Sequence, residues 1–154
     1  MEFNLWPTGN NFARFGCVMS ADSPWKLRKG RIEFILVSVP ATNSERLIAD
    51  LFDLTLEHNA EVDLISSVVV ITYGTAGTEA LPKGRRFALI EALRDKFGPQ
   101  IKIVHGAGIG HSGYVGGKSG GRFNYILPGL KEAKTRLEDL QPGEIVEFVP
   151  EPQS

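Results

Sequence analysis

Hydrophobic and polar positions follow one another in blocks of distinct period along the chain. Residues 31–39 (RIEFILVSV) form a β-branched, apolar run, long enough for a buried strand and short for a helix. Pro40 ends it, since proline offers no ladder donor. Thr42, Asn43 and Ser44 follow as candidate N-caps for a new helix. From Ser44 to His58, Leu47, Ile48, Leu51, Phe52 and Leu54 recur in three- and four-residue steps, which is one face of an amphipathic helix. Residues 61–73 (EVDLISSVVVITY) read as two strands broken at Ser66-Ser67, a hairpin, with Gly74 to Gly77 as loop.

A second helix suits 84–97, with Leu89, Ile90, Leu93 and Phe97 on one face. Gly98-Pro99 stops it, because glycine takes the left-handed C′ conformation and proline cannot continue. Residues 100–104 (QIKIV) start a strand and 122–127 (RFNYIL) form another; eight of the 17 glycines lie between them, from Gly106 to Gly121, as a loop. A third helix runs from about Gly129 to Leu140 with Leu130, Ala133, Leu137 and Leu140 inward, and Pro142-Gly143 turns into a last strand at 144–149. The order β-α-β-β-α-β plus a strand, helix and strand predicts an α+β sandwich, helices on one face of a mainly antiparallel sheet.

At 154 residues the chain has the size of one domain, with 42% apolar and 23% charged residues, an ordinary globular balance. It divides into an irregular aromatic-rich arm at 1–30 (Phe3, Trp6, Phe12, Phe15, Trp25), a domain at 31–150 and a tail at 151–154. The net charge of −1 argues against wholesale attraction to nucleic acid or an anionic membrane, leaving room for a local basic loop. A single cysteine, Cys17, excludes an internal disulfide, and no apolar run reaches membrane-helix length. The expected setting is cytoplasmic.

Two familiar motifs are approached and missed. SGYVGGKS (112–119) has Ser112 where a phosphate loop has its first glycine, and GHSGY (110–114) brings the second glycine of a nucleophile elbow one residue early. His105 and His111 lack a third metal ligand and read as solvent-exposed loop histidines, and Cys17, with no neighbouring histidine, reads as a packed thiol.

Three stretches in order resemble the catalytic domain of class III nucleotidyl cyclases. SERLIADLFDLTLEHNAEVDLISSVVVITYG (44–74) is similar to the first helix and hairpin of that family. IKIVHGAGIGHSGYVGG (101–117) is similar to its strand ending in a G-I-H-[ST]-G-x-V turn. RFNYILPGLKEAKTRLEDLQPGEIV (122–146) is similar to its R-x-x-Y-x-x-x-G-D-x-x-N-x-A-x-R-L-E segment followed by P-G-E-I. The resemblance covers about 31–149 and implies a ferredoxin-like βαββαβ core with additional strands, dimerising so that two subunits form the active sites.

The same resemblance implies a degenerate member. The family's two Mg²⁺-binding aspartates fall at Ser38 and Ser67, hydroxyls without the anionic oxygens that hard Mg²⁺ requires. The base-reading lysine falls at Asp63, its partner aspartate at Gly129, and the substrate-orienting asparagine at Glu132. The transition-state arginine alone has a match, Arg136, which could equally be an exposed helical residue paired with Glu132. Nucleotide phosphates could meet Gly113, Gly116, Gly117, Lys118 and Arg122, in the glycine-rich stretch and the strand after it.

The expected function is a regulatory or interaction module, a homodimer or a heterodimer with a cyclase-like relative, able to hold a nucleotide without turnover and needing no cofactor. Neither nucleic acid nor membrane is an expected partner. One alternative is an active nucleotide-processing enzyme with a displaced metal site drawn from Asp50, Asp53, Glu57, Glu61 and Asp63. Another is a structural assembly subunit docked through its aromatic arm.

Overall fold

The computed structural model describes residues 26–40, 44–65, 67–75, 84–117 and 120–149. Strand β1 (Lys26–Ser38) leads to helix α1 (Ser44–Glu57), the hairpin β2 (Glu61–Ile65) and β3 (Val68–Tyr73), and helix α2 (Arg85–Phe97). After a 3₁₀ turn at Gly98–Gln100 come β4 (Lys102–Gly117), β5 (Gly120–Ile126), α3 (Leu130–Glu138) and β6 (Ile145–Glu147). The sheet order is β2-β3-β1-β4-β5, the ferredoxin-like order extended by one strand, and β6 adds to β4 in parallel. The other pairings are antiparallel. The α+β class stands as expected.

β1 explains why its sequence reads as a continuous apolar run. Ile35 and Val37, with Val39 beyond, face one side, under Leu47 and Leu51 of α1 and Leu89, Leu93 and Phe97 of α2. Ile32, Phe34 and Leu36 face the other, under Leu130, Ala133 and Leu137 of α3 and Leu140 beyond it. A strand covered on both faces has no polar side to alternate with. Leu51, Leu89 and Leu93 are fully buried, each contributing about 2 kcal/mol by area. The expected helix layer on one face is α1 and α2; α3 adds cover to the second face, to which its inward set is directed.

Several expectations change. β1 begins at Lys26, so its first residues lie within the stretch assigned to the irregular arm; the aromatics of that arm and Cys17 lie outside the described residues. The larger correction is the glycine island. Gly106 to Gly117 is strand, not loop, because β4 pairs with β1 from Lys102 to Tyr114 and with β5 from His111 to Gly117. Glycine is required there by close approach. A Cβ on Gly106 would strike the Phe148 carbonyl oxygen and the Phe34 ring, and one on Gly110 the Ile126 carbonyl oxygen. The phosphate-loop and elbow readings end here, since Ser112 to Gly117 runs in an antiparallel ladder. His105 is likewise not a loop residue: it lies in β4 and is 5% exposed.

Candidate functional site

Ser38 is the last residue of β1, where its cross-strand partners are Val68 on β3 and Lys102 on β4. Ser67 immediately precedes Val68 in the exposed β2–β3 turn. Two serines far apart in sequence thus lie near one pole of the sheet, Ser67 one residue before the cross-strand partner of Ser38. Ser38 follows Leu36 by two residues and Lys102 precedes Val104 by two, so both side chains belong to the α3 face. Both are half-buried, and directly opposed residues stand about 5 Å apart.

The donor set does not fit the two Mg²⁺ ions of the family. Serine oxygens are neutral, and an ammonium in the same cross-strand row repels a dication. Among the described residues, no group of three His, Cys, Asp or Glu side chains could hold a metal. Hydroxyls beside a lysine suit a phosphate oxygen instead, through charge-assisted hydrogen bonds. Lys102 was missed in the sequence. Its signal was the alternation of QIKIV, which turns Lys102 away from Ile101 and Ile103 toward the other face.

The remaining expected residues scatter. Arg136 is exposed in the last turn of α3 and, among the described residues, makes no ion pair with Glu132, which is also exposed. Gly129 precedes α3 with φ 91°, a left-handed conformation that an aspartate would adopt only under strain. Gly113, Gly116 and Gly117 pair with Asn124, Gly121 and Gly120 in the β4–β5 ladder. Arg122 lies on β5 opposite Val115; Lys118 lies outside the described residues.

Of the carboxylates considered for a displaced metal site, Asp50, Asp53 and Glu57 ride on α1, which covers the first face. Glu61 and Asp63 pair with Thr72 and Val70, and Val70 packs in the α3 core, so these two belong to the second face. The sheet separates the two groups. Tyr125, also in the α3 core, has a buried hydroxyl without a hydrogen-bond partner among the described residues, and burial, with Asp63 adding to it, pushes that hydroxyl well above the usual range.

A second polar cluster lies five residues back along β1 from Ser38, on the α1–α2 face. Arg86, in the first turn of α2, is 5% exposed. Its guanidinium lies 3.6 Å from buried Glu33 of β1 and donates to half-exposed Glu147 of β6 at 3.2 Å. Burial pulls Arg86 below its usual value, against the opposing pull of Glu33 and then Glu147. Phe87 takes Arg86 over its ring at 4.8 Å and meets the His105 imidazole edge-on. His105 is held below its ordinary value by burial first and by Arg86 second, which favours the neutral ring, and its Nδ1 has no hydrogen-bond partner among the described residues. Arg85-Arg86 reads in sequence as a solvated pair, and nothing in the local pattern marks the second as buried.

The order of elements and the ferredoxin-like sheet define the fold of a class III nucleotidyl cyclase catalytic domain. The likeness extends to solved structures. The adenylyl cyclase CyaB from P. aeruginosa superposes with a TM-score of 0.57 at 12% identity, over 79% of this chain and 78% of that one. The guanylate cyclase domain of RhGC from Catenaria anguillulae, solved with GTP, gives 0.60 at 11% identity over 79% of each chain. A non-canonical dimeric guanylyl cyclase domain of the RhoGC fusion protein from the aquatic fungus Blastocladiella emersonii gives 0.61 at 9% identity, over 79% of this chain and 80% of that one. No protein-family profile matches the chain, and no curated protein sequence does. Identities this low establish the fold and leave the chemistry to the residues present.

Proposed function

We propose that the chain is a cyclase-fold domain that binds a nucleotide through its phosphates without carrying out two-metal cyclisation, and that it serves as a regulatory or interaction module. The observation that carries this reading is the sheet pole, where Ser38 stands between Val68 and Lys102 in one cross-strand row, Ser67 lies in the adjoining β2–β3 turn, and no carboxylate occupies that row. Two Mg²⁺ ions would supply Lewis-acid stabilisation of developing phosphate charge, a contribution of several kcal/mol. Each ~1.4 kcal/mol removed is a tenfold loss in rate. Lys102 attracts the phosphate but does not polarise it as two dications would. Pairing as a homodimer, or with a cyclase-like relative, fits the dimeric guanylyl cyclase domain that shares the fold.

Thermal shift with ATP and GTP, with and without Mg²⁺, tests the binding half. Stabilisation should be undiminished without Mg²⁺ and largely lost in Lys102→Ala. A bound ligand at a hundredfold excess over its Kd stabilises by about 2.7 kcal/mol. A product assay tests the other half: cyclic nucleotide formed with Mg²⁺ or Mn²⁺, and abolished by Arg136→Ala, would overturn the proposal.

A further inference from the structure

On the α1–α2 face the central strands run on past the helices. The first turn of α2 lies over the cross-strand row of Ile35, His105 and Glu147, where Phe87 meets the His105 ring at 5.5 Å. Beyond that row β1 and β4 continue, with Glu33 opposite Ala107, Arg31 opposite Ile109 and Lys29 opposite His111. These pairs share the α1–α2 face, because the alternate positions Gly106 and Gly110 would direct a Cβ against Phe34 and Ile32 of the α3 core. Three large apolar side chains stay in the open there: Phe87 at 49%, Ile109 at 55% and Val149 at 75% exposure. Val149 follows Phe148, which donates its N–H to the His105 carbonyl and packs in the α3 core, so alternation turns Val149 to the α1–α2 face beside Ala107. From His105, under Phe87, to Ile109 the strand advances about 13 Å, so three separate segments bring their apolar side chains to one small area.

We infer that this end of the α1–α2 face docks an acidic peptide segment of a partner protein, whose apolar side chains cover Phe87, Ile109 and Val149 while its carboxylates meet Lys29, Arg31 and Arg85. The charge around the patch selects that occupant. Lys29 and Arg31 are exposed and Arg85, beside Phe87 in the first turn of α2, is half-buried. The acids among them are Glu33, buried between Arg31 and Arg86, and Glu147, already paired with Arg86. Four cations against two acids leave an excess of positive charge, and complementary potentials steer association and choose the partner. An aromatic ring stacked on an arginine, as Phe87 is on Arg86, is the residue pairing on which interfaces concentrate their binding energy. A second copy of the chain fits less well, since a two-fold contact through this patch would set like charges together. So does an anionic membrane: laid flat here it would desolvate Glu147 and find three apolar side chains in place of the long stripe that interfacial binding uses.

Ser38 and Lys102 lie on the opposite face of the sheet, so the inference is independent of nucleotide binding there. A phage-displayed library of random 12-residue peptides is selected on the immobilised full chain, and the enriched peptides are synthesised, labelled and titrated by anisotropy from 50 to 200 mM salt. The enriched sequences should join Asp or Glu to Leu, Phe or Trp, and their binding should weaken as salt rises. Ile109→Ser/Val149→Ser, at two exposed positions, should weaken binding at least tenfold. Lys29→Gln/Arg85→Gln should weaken it severalfold and flatten the salt dependence. Leu56→Ser, which removes a comparably exposed apolar side chain from α1, should leave it unchanged. Absence of enrichment, enriched peptides without acids, or unaltered binding in the Ile109→Ser/Val149→Ser variant would overturn the inference. So would binding to phosphatidylserine vesicles, or self-association in sedimentation, that this same variant abolishes.

Discussion

Arg86→Met removes the cation that joins α2, β1 and β6 and leaves most of its packing volume in place. The two acids it releases differ in their fate. Glu147 is half-exposed and rehydrates, so its pair with Arg86 contributes no more than about 1 kcal/mol. Glu33 is 8% exposed and cannot. Breaking a buried pair by removing one partner costs about 3–5 kcal/mol, because the remaining charge stays uncompensated. Arg31, 3.7 Å from Glu33 and half-exposed, offsets part of that, which places the expected loss near the lower limit, about 3 kcal/mol. For a domain of this size the Tm should fall by about 6–12 °C. Urea unfolding of wild type, Arg86→Met, Glu33→Gln and the double variant gives the four corners of a cycle. The double variant should be more stable than the two single losses predict by at least about 1 kcal/mol, since it buries no unpaired charge. A loss below about 1 kcal/mol in Arg86→Met at unchanged m-value, or strict additivity in the cycle, would show that the cluster is solvated and the reasoning wrong.

Gly106→Ala should cost about 1–3 kcal/mol in urea unfolding, because its Cβ meets the Phe148 carbonyl oxygen and the Phe34 ring, whereas Gly30→Ala, with open space around it, should change stability by less than about 0.5 kcal/mol. His105 has its folded pKa depressed, so the unfolded chain binds the proton more tightly; stability should be flat above about pH 6.5 and fall as the pH drops toward the folded value. In His105→Gln the contribution of that residue to the slope between pH 5 and 6.5 should vanish, and urea midpoints at half-unit intervals would show whether it does. Ser38→Asp/Ser67→Asp places two carboxylates at the pole and should create a Mn²⁺-dependent thermal stabilisation absent from wild type; equal Mn²⁺ responses in both proteins would contradict the geometry assigned to Ser38 and Ser67.

Much of the architecture was legible because apolar periodicity survives wide changes of residue. The hairpin break at Ser66-Ser67, the inward set Leu89, Leu93 and Phe97, and the stop at Gly98-Pro99 all appear where the pattern placed them. The misread stretch was the glycine island. Eight glycines suggest a loop when each is weighed by its own propensity, yet β4 is straddled by β1 and β5, and pairing on both edges outweighs the propensity of any single residue. His105 followed the same error, since a residue assigned to a loop is assigned to solvent as well. Arg86 was hidden for a different reason: its burial depends on Glu33 and Glu147, more than fifty residues away on either side, and no local window contains them.

The candidate site was legible only through the family resemblance. Ser38 and Ser67 acquire meaning because the fold brings them together, and serine by itself marks no chemistry. Lys102 shows the converse, a residue whose placement follows from register alone: one cross-strand step from Ser38 it lies on the α3 face, and one residue earlier or later it would face the α1–α2 core. Charge behaves alike. A total of −1 averages over Lys26, Arg28, Lys29, Arg31 and Arg122, which sit on strands that pair through β4. Side chains at strand ends and turns change at little cost in packing, while Ile35, Val37, Val69 and Ile103 between them cannot.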